Sequence, residues 1–235
     1  MKRALIVVAK RPIPGRTKTR LLPAVTPDQA AELYHCFLLD TLLLVHQVSD
    51  VDHWIAYTPE EALDYFVGIT PPAFGLLLQE GVNLGERLHN ALATCFSRGY
   101  HQAVIMNSDG PTLPPSYPQR AFTVLDDAAT DVVIGPGEDG GYYLIGLKGA
   151  CRPIFDVIMS TATVLRDTLD QVRLAGLTHV CLPSWYDVDT PDDLMRLCRE
   201  LSTAPGAVAP HTRRCLSRMR CLTDHHRLGI MTSPK

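Results

Sequence analysis

Three acidic segments of this 235-residue sequence contain side chains that can bind a metal ion or transfer a proton. In the first, Asp109 follows the apolar run AVIM and is held by the glycine and proline of NSDGP. A carboxylate fixed at the end of a buried strand suits a hard divalent cation, which takes oxygen ligands. The alternative is a turn aspartate that caps the strand end. We predict that Asp109 is a metal ligand and a catalytic residue.

The segment DVDTPDD offers a second ligand for the same ion. Asp189 directly precedes Thr190, the expected N-cap of a helix, so its carboxylate lies at the start of that helix. Asp192 and Asp193 fall in the first helical turn, where the helix dipole favours negative charge without any function. The candidates for the second ligand, with a catalytic role, are therefore Asp189 first and Asp187 second.

The third acidic segment, EDGGYY, combines carboxylates with paired glycines. Glycines permit close approach of the backbone to a ligand, and the two acids can bind hydroxyl groups or assist the deprotonation of an acceptor. A polar hairpin turn between two strands explains the same residues equally well. The candidates are Glu138 and Asp139 as catalytic residues and Gly140, Gly141 and Tyr142 as substrate-binding residues.

A basic loop, KRPIPGRTKTR, follows the first apolar run of the chain. Five cations within eleven residues can neutralise a di- or triphosphate, because arginine presents a planar fork and lysine a point charge. A solvated basic loop is the alternative, and the Walker pattern GxxxxGK[ST] is absent. The candidate phosphate-binding residues are Lys10, Arg11, Gly15, Arg16, Lys18 and Arg20.

Other common catalytic patterns are missing. The sequence has no G-x-S-x-G segment and no evident Ser/His/Asp arrangement, so it does not support hydrolysis by a serine nucleophile. Cys215, Cys221, His225 and His226 do not have the spacing of a zinc site.

The elements that must position these residues alternate between strand and helix. Thr26 and Pro27 are suited to cap and begin the first helix, and Asn83 to cap a later one. The predicted strands are 4–9, 51–57, 76–79, 103–106, 131–135, 142–147 and 178–182, and the predicted helices begin at 27 and 191 or span 59–66, 84–96, 116–126 and 161–175. This alternation predicts one α/β domain over residues 1–202, with a mostly parallel central sheet flanked by helices. Ligands of such sheets bind at the carboxyl ends of the strands, where the polar segments fall.

Composition and charge place the chain among globular proteins of a reducing compartment. It is 46% hydrophobic with a net charge of −3, which gives no argument for nucleic-acid binding. Seven irregularly spaced cysteines indicate free, buried thiols, and the N-terminal apolar run is too short for a signal peptide or a membrane span. We therefore expect a cytoplasmic protein. Residues 203–235 carry six basic residues against Asp224, and we predict a basic C-terminal tail that is partly disordered.

Six segments, in order, resemble the DUF2064 proteins, also called rSAM/selenodomain-associated transferase 1, of the GT-A-like (nucleotide-diphospho-sugar transferase) superfamily. They are AKRPIPGRTKTRL, NLGERLHNAL, NSDGPTLP, GPGEDGGYYLIGL, MSTATVL and DVDTPDDL, and they span about residues 1–200. The resemblance implies a GT-A-like, Rossmann-like fold in which Lys18 and Arg20 bind donor phosphates. It also implies that Asp109 and Asp189 bind Mg²⁺ or Mn²⁺.

The sequence departs from related patterns at three places near the candidate site. Glycosyltransferases usually carry Asp-x-Asp, and the first position is Asn107 here. Relatives typically have tryptophan before Ser-Thr, and this chain has Met159. The basic loop also has less glycine than the loop of small nucleotidyltransferases.

Three functions are compatible with these residues. A glycosyltransferase would move a sugar from an NDP-sugar to a small-molecule acceptor, and the family resemblance favours it narrowly. A nucleotidyltransferase would use an NTP and release pyrophosphate, and the dense basic loop favours it because three phosphates need more neutralisation. The third is a protein that binds a nucleotide without catalysis.

Overall fold

The computed structural model describes residues 1–22 and 24–219. Their contacts divide them into two compact units, of which the first contains Met1–Arg11 and Thr41–Asp187. The second contains Pro12–Asp40 and the residues from Val188 onward. Helix α1 (Pro27–Val45) contributes residues to both units.

The first unit is built on a seven-stranded sheet of order β3-β2-β1-β4-β6-β5-β7. Strand β6 is antiparallel to both of its neighbours, and all other neighbouring pairs are parallel. The strands are β1 Arg3–Lys10, β2 Asp52–Thr58, β3 Gly75–Leu78, β4 Gln102–Met106, β5 Val132–Pro136, β6 Tyr142–Leu147 and β7 His179–Cys181. The predicted α/β class with a mostly parallel central sheet is confirmed, as is the hairpin of β5 and β6.

Helices cover both faces of this sheet. The helices are α2 Leu63–Ile69, α3 Leu84–Ser97, α4 Ser116–Asp126 and α5 Val164–Leu174. Ile145 and Leu147 of β6 are buried in a cluster with Leu92 of α3 and Val172 of α5. Gly146 between them faces the opposite side, where a Cβ atom would lie 3.2 Å from Leu125 of α4. Because successive strand residues point to opposite faces, α3 and α5 pack on one face and α4 on the other.

Two predicted helices of the first unit differ from the observed ones. The segment predicted as a helix over 59–66 begins with a 3-10 turn, Glu60–Ala62, and α2 continues it to Ile69. Helix α5 spans Val164–Leu174, so it begins three residues after the predicted start and ends one residue before the predicted end.

The second unit contains the basic loop, the first part of α1, α6 (Pro191–Thr203) and α7 (Pro210–Arg218). Helix α6 begins as predicted, with Thr190 and Asp193 forming a reciprocal capping box. Helix α7 lies in the segment predicted as a tail, and its Cys215 and Leu216 are fully buried. Part of that segment is therefore folded. Residues 220–235 lie outside the described residues, as do the tail's Cys221, His225 and His226.

The six described cysteines are all free of disulfides. Cys36, Cys95, Cys198 and Cys215 are buried, as predicted, whereas Cys181 is exposed because β7 is the edge strand of the sheet. Within the described part of the chain, no helix combines the length and the apolar character needed to cross a bilayer.

Candidate functional site

The first unit brings residues of the predicted polar segments to one edge of its sheet. The sheet order reverses between β1 and β4, because β2 and β3 follow on one side of β1 and β4 pairs with the other side. Ligands of open α/β sheets bind outside the carboxyl ends of the strands at such a switch point. The turn from β5 to β6 lies at the same edge, because β6 runs antiparallel and begins where β5 ends.

The loop after β4 is tied to the end of β1. The Ser108 hydroxyl donates a hydrogen bond to the carbonyl oxygen of Val8 at 3.1 Å, and the Asp109 amide donates to Oδ1 of Asn107 at 3.3 Å. Gly110 allows close packing, since a Cβ atom there would lie 3.2 Å from the carbonyl oxygen of Tyr186. Asp109 is therefore held on a short, anchored loop at the switch point, and its role as a metal ligand stays a prediction.

Asn107 positions Asp187. Its amide Nδ2 donates a hydrogen bond of 2.8 Å to Oδ2 of Asp187, although the two residues are 80 positions apart. An aspartate at position 107 would place two carboxylates against each other, and their repulsion would disfavour the charged pair. The departure from Asp-x-Asp thus has a physical reason, which is that the asparagine amide orients a carboxylate from another segment.

The turn that joins β5 and β6 is closed by its own residues. Asp139 accepts a hydrogen bond from the amide of Gly141 at 2.9 Å, and the amide of Glu138 donates to the carbonyl of Trp185 at 3.0 Å. Gly140 has a positive φ of 89° and accepts a hydrogen bond from the Leu165 amide at 2.9 Å. Both acidic side chains are exposed, and that of Asp139 stabilises the turn.

Tyr142 connects this turn with the segment before α5. Its hydroxyl lies 3.9 Å from the sulfur of Met159, and burial raises the pKa of the tyrosine above its usual range. The same segment packs on the start of α3, where a Cβ on Gly85 would lie 2.4 Å from the Phe155 carbonyl oxygen. Tyr142 is thus a half-buried support of the Met159 segment, and its role in substrate binding stays a prediction.

The two cations that end β1 are exposed at the same edge. Lys10 is the last residue of β1, and the Arg11 amide continues the ladder by donating to the carbonyl of Thr58 at 2.9 Å. The Arg11 guanidinium lies 6.0 Å from the ring centroid of Tyr65. The first unit therefore presents positive charge beside the loop that carries Asp109.

The remaining candidate cations belong to the second unit. The loop turns at Ile13, whose carbonyl accepts from the amides of Arg16 and Thr17 at 3.0 and 3.1 Å. Gly15 has a positive φ of 73°, and a Cβ there would meet no atom within 4 Å. Arg16 and Gly15 are exposed, so this turn is open to a ligand.

Lys18 forms the central ion pair of the second unit. Its side chain is only 4% exposed, and its Nζ lies 2.7 Å from Oδ1 of Asp189. Arg20 approaches Oδ2 of the same carboxylate at 3.8 Å and is largely exposed. Lys18 also adopts a left-handed backbone, with a φ of 50°. Residues 171 positions apart are thus joined, and Asp189 holds the ammonium group of Lys18 in place.

The donor atoms of the first unit fit a hard metal ion. Asp109 and Asp187 supply carboxylate oxygens, and Mg²⁺ is usually bound by one or two carboxylates together with phosphates and water. Among residues 1–22 and 24–219, no three His, Cys, Asp or Glu side chains form a complete metal site. A metal here would need ligands beyond these two carboxylates. The pairing of Asp109 with Asp189 around one ion stays a prediction.

Two residues at this edge were not singled out in the sequence. The Gln79 amide donates to the carbonyls of Ala9 and Ala56 at 3.0 and 2.7 Å, which joins the ends of β1 and β2. Trp185 packs against Gly110, with its Cδ1 3.3 Å from the position of a Cβ. The sequence signal available for Gln79 was its position as a polar residue at the end of a predicted strand. No feature of the neighbouring sequence distinguishes Trp185.

Comparison with known proteins supports the assignment of the α/β fold. The family described as "uncharacterized protein conserved in bacteria (DUF2064)" matches residues 41–161. A candidate nucleotide-diphospho-sugar transferase from Desulfovibrio desulfuricans G20 is 34% identical, with 94% of this chain and 99% of that chain covered and a TM-score of 0.84. No protein of the curated set matches significantly.

More distant structures share the fold alone. CMP:2-keto-3-deoxy-manno-octonic acid synthetase in complex with CTP is 12% identical, with a TM-score of 0.54 over 86% of this chain and 99% of that chain. Rv0371c from Mycobacterium tuberculosis H37Rv in complex with manganese is 20% identical, with a TM-score of 0.51 over 87% of this chain and all (100%) of that chain. The predicted GT-A-like fold class is confirmed.

Proposed function

This chain belongs to the DUF2064 family, and from that premise we propose that it is a transferase that takes a nucleotide as its donor. The main support for the proposal is that two cations and a carboxylate lie at the switch point of the first unit. The two cations that end β1, Lys10 and Arg11, lie at the strand edge that also holds the Asp109 loop. Cations suit the phosphates of a nucleotide, and the carboxylate suits the metal ion that accompanies them.

Within this proposal, glycosyl transfer from an NDP-sugar is the preferred reaction. The relative that is 34% identical is a candidate nucleotide-diphospho-sugar transferase, and it covers nearly the whole chain. The acceptor hydroxyl would attack the anomeric carbon, and the nucleoside diphosphate would leave. A bound Mg²⁺ or Mn²⁺, held by Asp109 with Asp187 and in the sequence-based prediction by Asp189, would stabilise the negative charge on the leaving group.

The protein's own residues have separate tasks in this reaction. Lys18 and Arg20 would bind the donor phosphates, and Asp189 would keep the Lys18 ammonium group oriented. Asn107 would orient Asp187 through its amide. Glu138 and Asp139 are the candidates for accepting the acceptor's proton, and Asp139 also accepts a hydrogen bond from the Gly141 amide within its own turn.

A nucleotidyltransferase is the second candidate function. The observation in its favour is the density of positive charge between residues 10 and 20, which suits a triphosphate. An acceptor phosphate or hydroxyl would attack the α-phosphorus, and pyrophosphate would leave. The related fold of a CTP-binding synthetase is compatible with this reaction.

Thermal shift with a panel of nucleotides distinguishes these donors. A ligand that binds only the folded protein at about 100 times its Kd stabilises it by about 2.7 kcal/mol. For a chain of this length, we expect a rise in Tm of roughly 5–10 °C with an NDP-sugar and Mg²⁺ or Mn²⁺. Stabilisation by an NTP and by no NDP-sugar would contradict glycosyl transfer, and no response to any nucleotide would contradict the wider proposal.

Substitution of Asp109 tests catalysis apart from binding. Asp109→Asn keeps the size of the side chain and removes its charge, so we expect the turnover rate to fall by about 10²- to 10³-fold, as for the loss of one electrostatic stabiliser. The measurement is release of the nucleotide product at saturating donor and metal. The control is Asp64→Asn, which changes an exposed carboxylate of α2. Unchanged turnover in the Asp109 variant would contradict a catalytic role for Asp109, whereas no turnover by the unmodified protein would favour the non-catalytic alternative.

A further inference from the structure

Helices α1 and α7 of the second unit meet along a stripe of paired side chains. Glu32, Cys36 and Asp40 are spaced four residues apart on α1 and therefore share one face. Their partners on α7 occur in reverse order, so the two helices run antiparallel along this stripe. The partners of Glu32, Cys36 and Asp40 are, in that order, Arg218, Cys215 and the pair His211 and Thr212.

One end of the stripe is held by Asp40. Its carboxylate accepts hydrogen bonds from the backbone amides of His211 at 3.0 Å and Thr212 at 2.7 Å. These amides belong to the first turn of α7, whose N–H groups have no partners within the helix. Asp40 is buried, and it therefore fixes where the start of α7 lies on α1.

The other end is held by Arg218. Its guanidinium Nη2 donates to Oε1 of Glu32, at the last residue of α7. Two contacts at opposite ends of a nine-residue helix leave it no freedom to slide along α1. The side chains between the contacts are consequently held in a defined register.

The cysteines lie midway between these two contacts. The side chains of Cys36 and Cys215 are both buried, and the contacts at the two ends of α7 place them opposite each other. The neighbouring Cys36 thiol lowers the pKa of the Cys215 thiol, and Arg218 lowers it as well. The Cys215 thiol and burial both raise the pKa of Cys36. Because the cationic Arg218, which favours a thiolate, lies one turn from Cys215 on α7, we expect Cys215 to be the nucleophile and Cys36 its partner thiol.

We propose that Cys36 and Cys215 form a redox-active pair whose oxidation closes a disulfide between α1 and α7. With a low-molecular-weight disulfide as oxidant, the Cys215 thiolate attacks one sulfur, forms a mixed disulfide and releases one thiolate. The Cys36 thiol loses its proton and attacks Cys215, which forms the internal disulfide and releases the second thiolate. The protein loses two electrons and two protons, and the oxidant becomes two thiols.

Burial sets the rate of this exchange. Neither sulfur is accessible while α7 is docked, so the oxidant reacts when α7 opens transiently from α1. We therefore expect Cys36 and Cys215 to oxidise more slowly than the exposed Cys181, but to end in an internal disulfide instead of a stable adduct. This behaviour is independent of the proposed transferase activity.

The test is oxidation of the full chain in glutathione redox buffers, followed by alkylation, trypsin digestion and mass spectrometry. The cleavage sites separate the cysteines, because Cys36 falls in peptide 21–87, Cys215 in 215–218 and Cys221 in 221–227. We expect the 21–87 peptide to be linked to 215–218, and the melting midpoint to rise by roughly 4–15 °C until a reductant is added. A link from 21–87 to 221–227, or glutathione adducts alone, would overturn the proposal.

Matched variants separate this pair from the other thiols. Cys36→Ser and Cys215→Ala each remove one sulfur, and either one is expected to abolish both the linked peptide and the oxidation-dependent rise in Tm. Cys198→Ser removes another buried cysteine, on α6, and is expected to leave both unchanged. Retention of the rise in Tm in the Cys36 and Cys215 variants would show that a different thiol is responsible.

Discussion

Lys18→Met is expected to lower kcat for nucleotide release by about 10²- to 10³-fold, the usual cost of removing one charge that stabilises a leaving group. Methionine keeps most of the volume of the lysine side chain, whose ammonium group lies 5.9 Å from the ring centroids of Tyr34 and Phe37. The variant therefore removes the ammonium group with little change in packing. The measurement is steady-state release of the nucleotide product from the donor, together with the donor's Kd.

The matched control for this prediction is Lys148→Met. Lys148 follows β6, at the opposite end of that strand from Tyr142, and its Nζ hydrogen-bonds the carbonyl of Asp127. We expect its kcat to match that of the unmodified protein. If the Lys18→Met variant keeps its kcat within about twofold and loses only thermal stability, then the role of Lys18 is limited to its ion pair with Asp189. The phosphate-binding role would then be wrong.

Gly140→Ala is expected to destabilise the first unit. Among glycine-to-alanine variants at positions of positive φ, we expect its loss of stability to be the largest. The added Cβ would lie 2.1 Å from the carbonyl oxygen of Ala162, so the backbone of one segment must move. The positive φ of 89° adds backbone strain. Strain and overpacking together cost roughly 2–5 kcal/mol, or roughly 5–15 °C in Tm.

The Gly99→Ala variant separates the cost of backbone strain from the cost of overpacking. Gly99 has a similar φ of 82°, but a Cβ there would meet no atom within 4 Å. We expect this variant to lose only the strain contribution, about 1–2 kcal/mol, measured by the same thermal melts. Equal losses in the two variants would contradict a clash at Ala162. If Gly140→Ala also weakens acceptor binding, the segment before α5 contributes to the acceptor site.

The local structure around the site was predictable because its causes are local. The apolar run of β4 and the punctuation of NSDGP place Asp109 just after a strand end. Thr190, Pro191 and Asp193 specify the start of α6 through a capping box and the fixed φ of proline. Such signals span a few residues, so a single sequence is enough to read them.

Other features depended on contacts that local patterns do not encode. Helix α7 was missed because its short, polar sequence has little helical signal of its own, and it is stabilised by Asp40 and Glu32 on α1. The exposure of Cys181 followed from the place of β7 at the sheet edge. The sequence pattern of HVC is the same for an edge strand and a central one, so strand order had to be known first.

The candidate carboxylates, Asp109, Asp187 and Asp189, show the same division. Their residue types and their places after predicted strands or before a helix were determined by the sequence alone, as were the family and the basic loop. Only the tertiary structure decided that Asn107 donates to Asp187 and that Asp189 holds Lys18. The reason is physical, because a hydrogen bond between residues 80 or 171 positions apart depends on strand order and helix register, which many distant packing contacts set together.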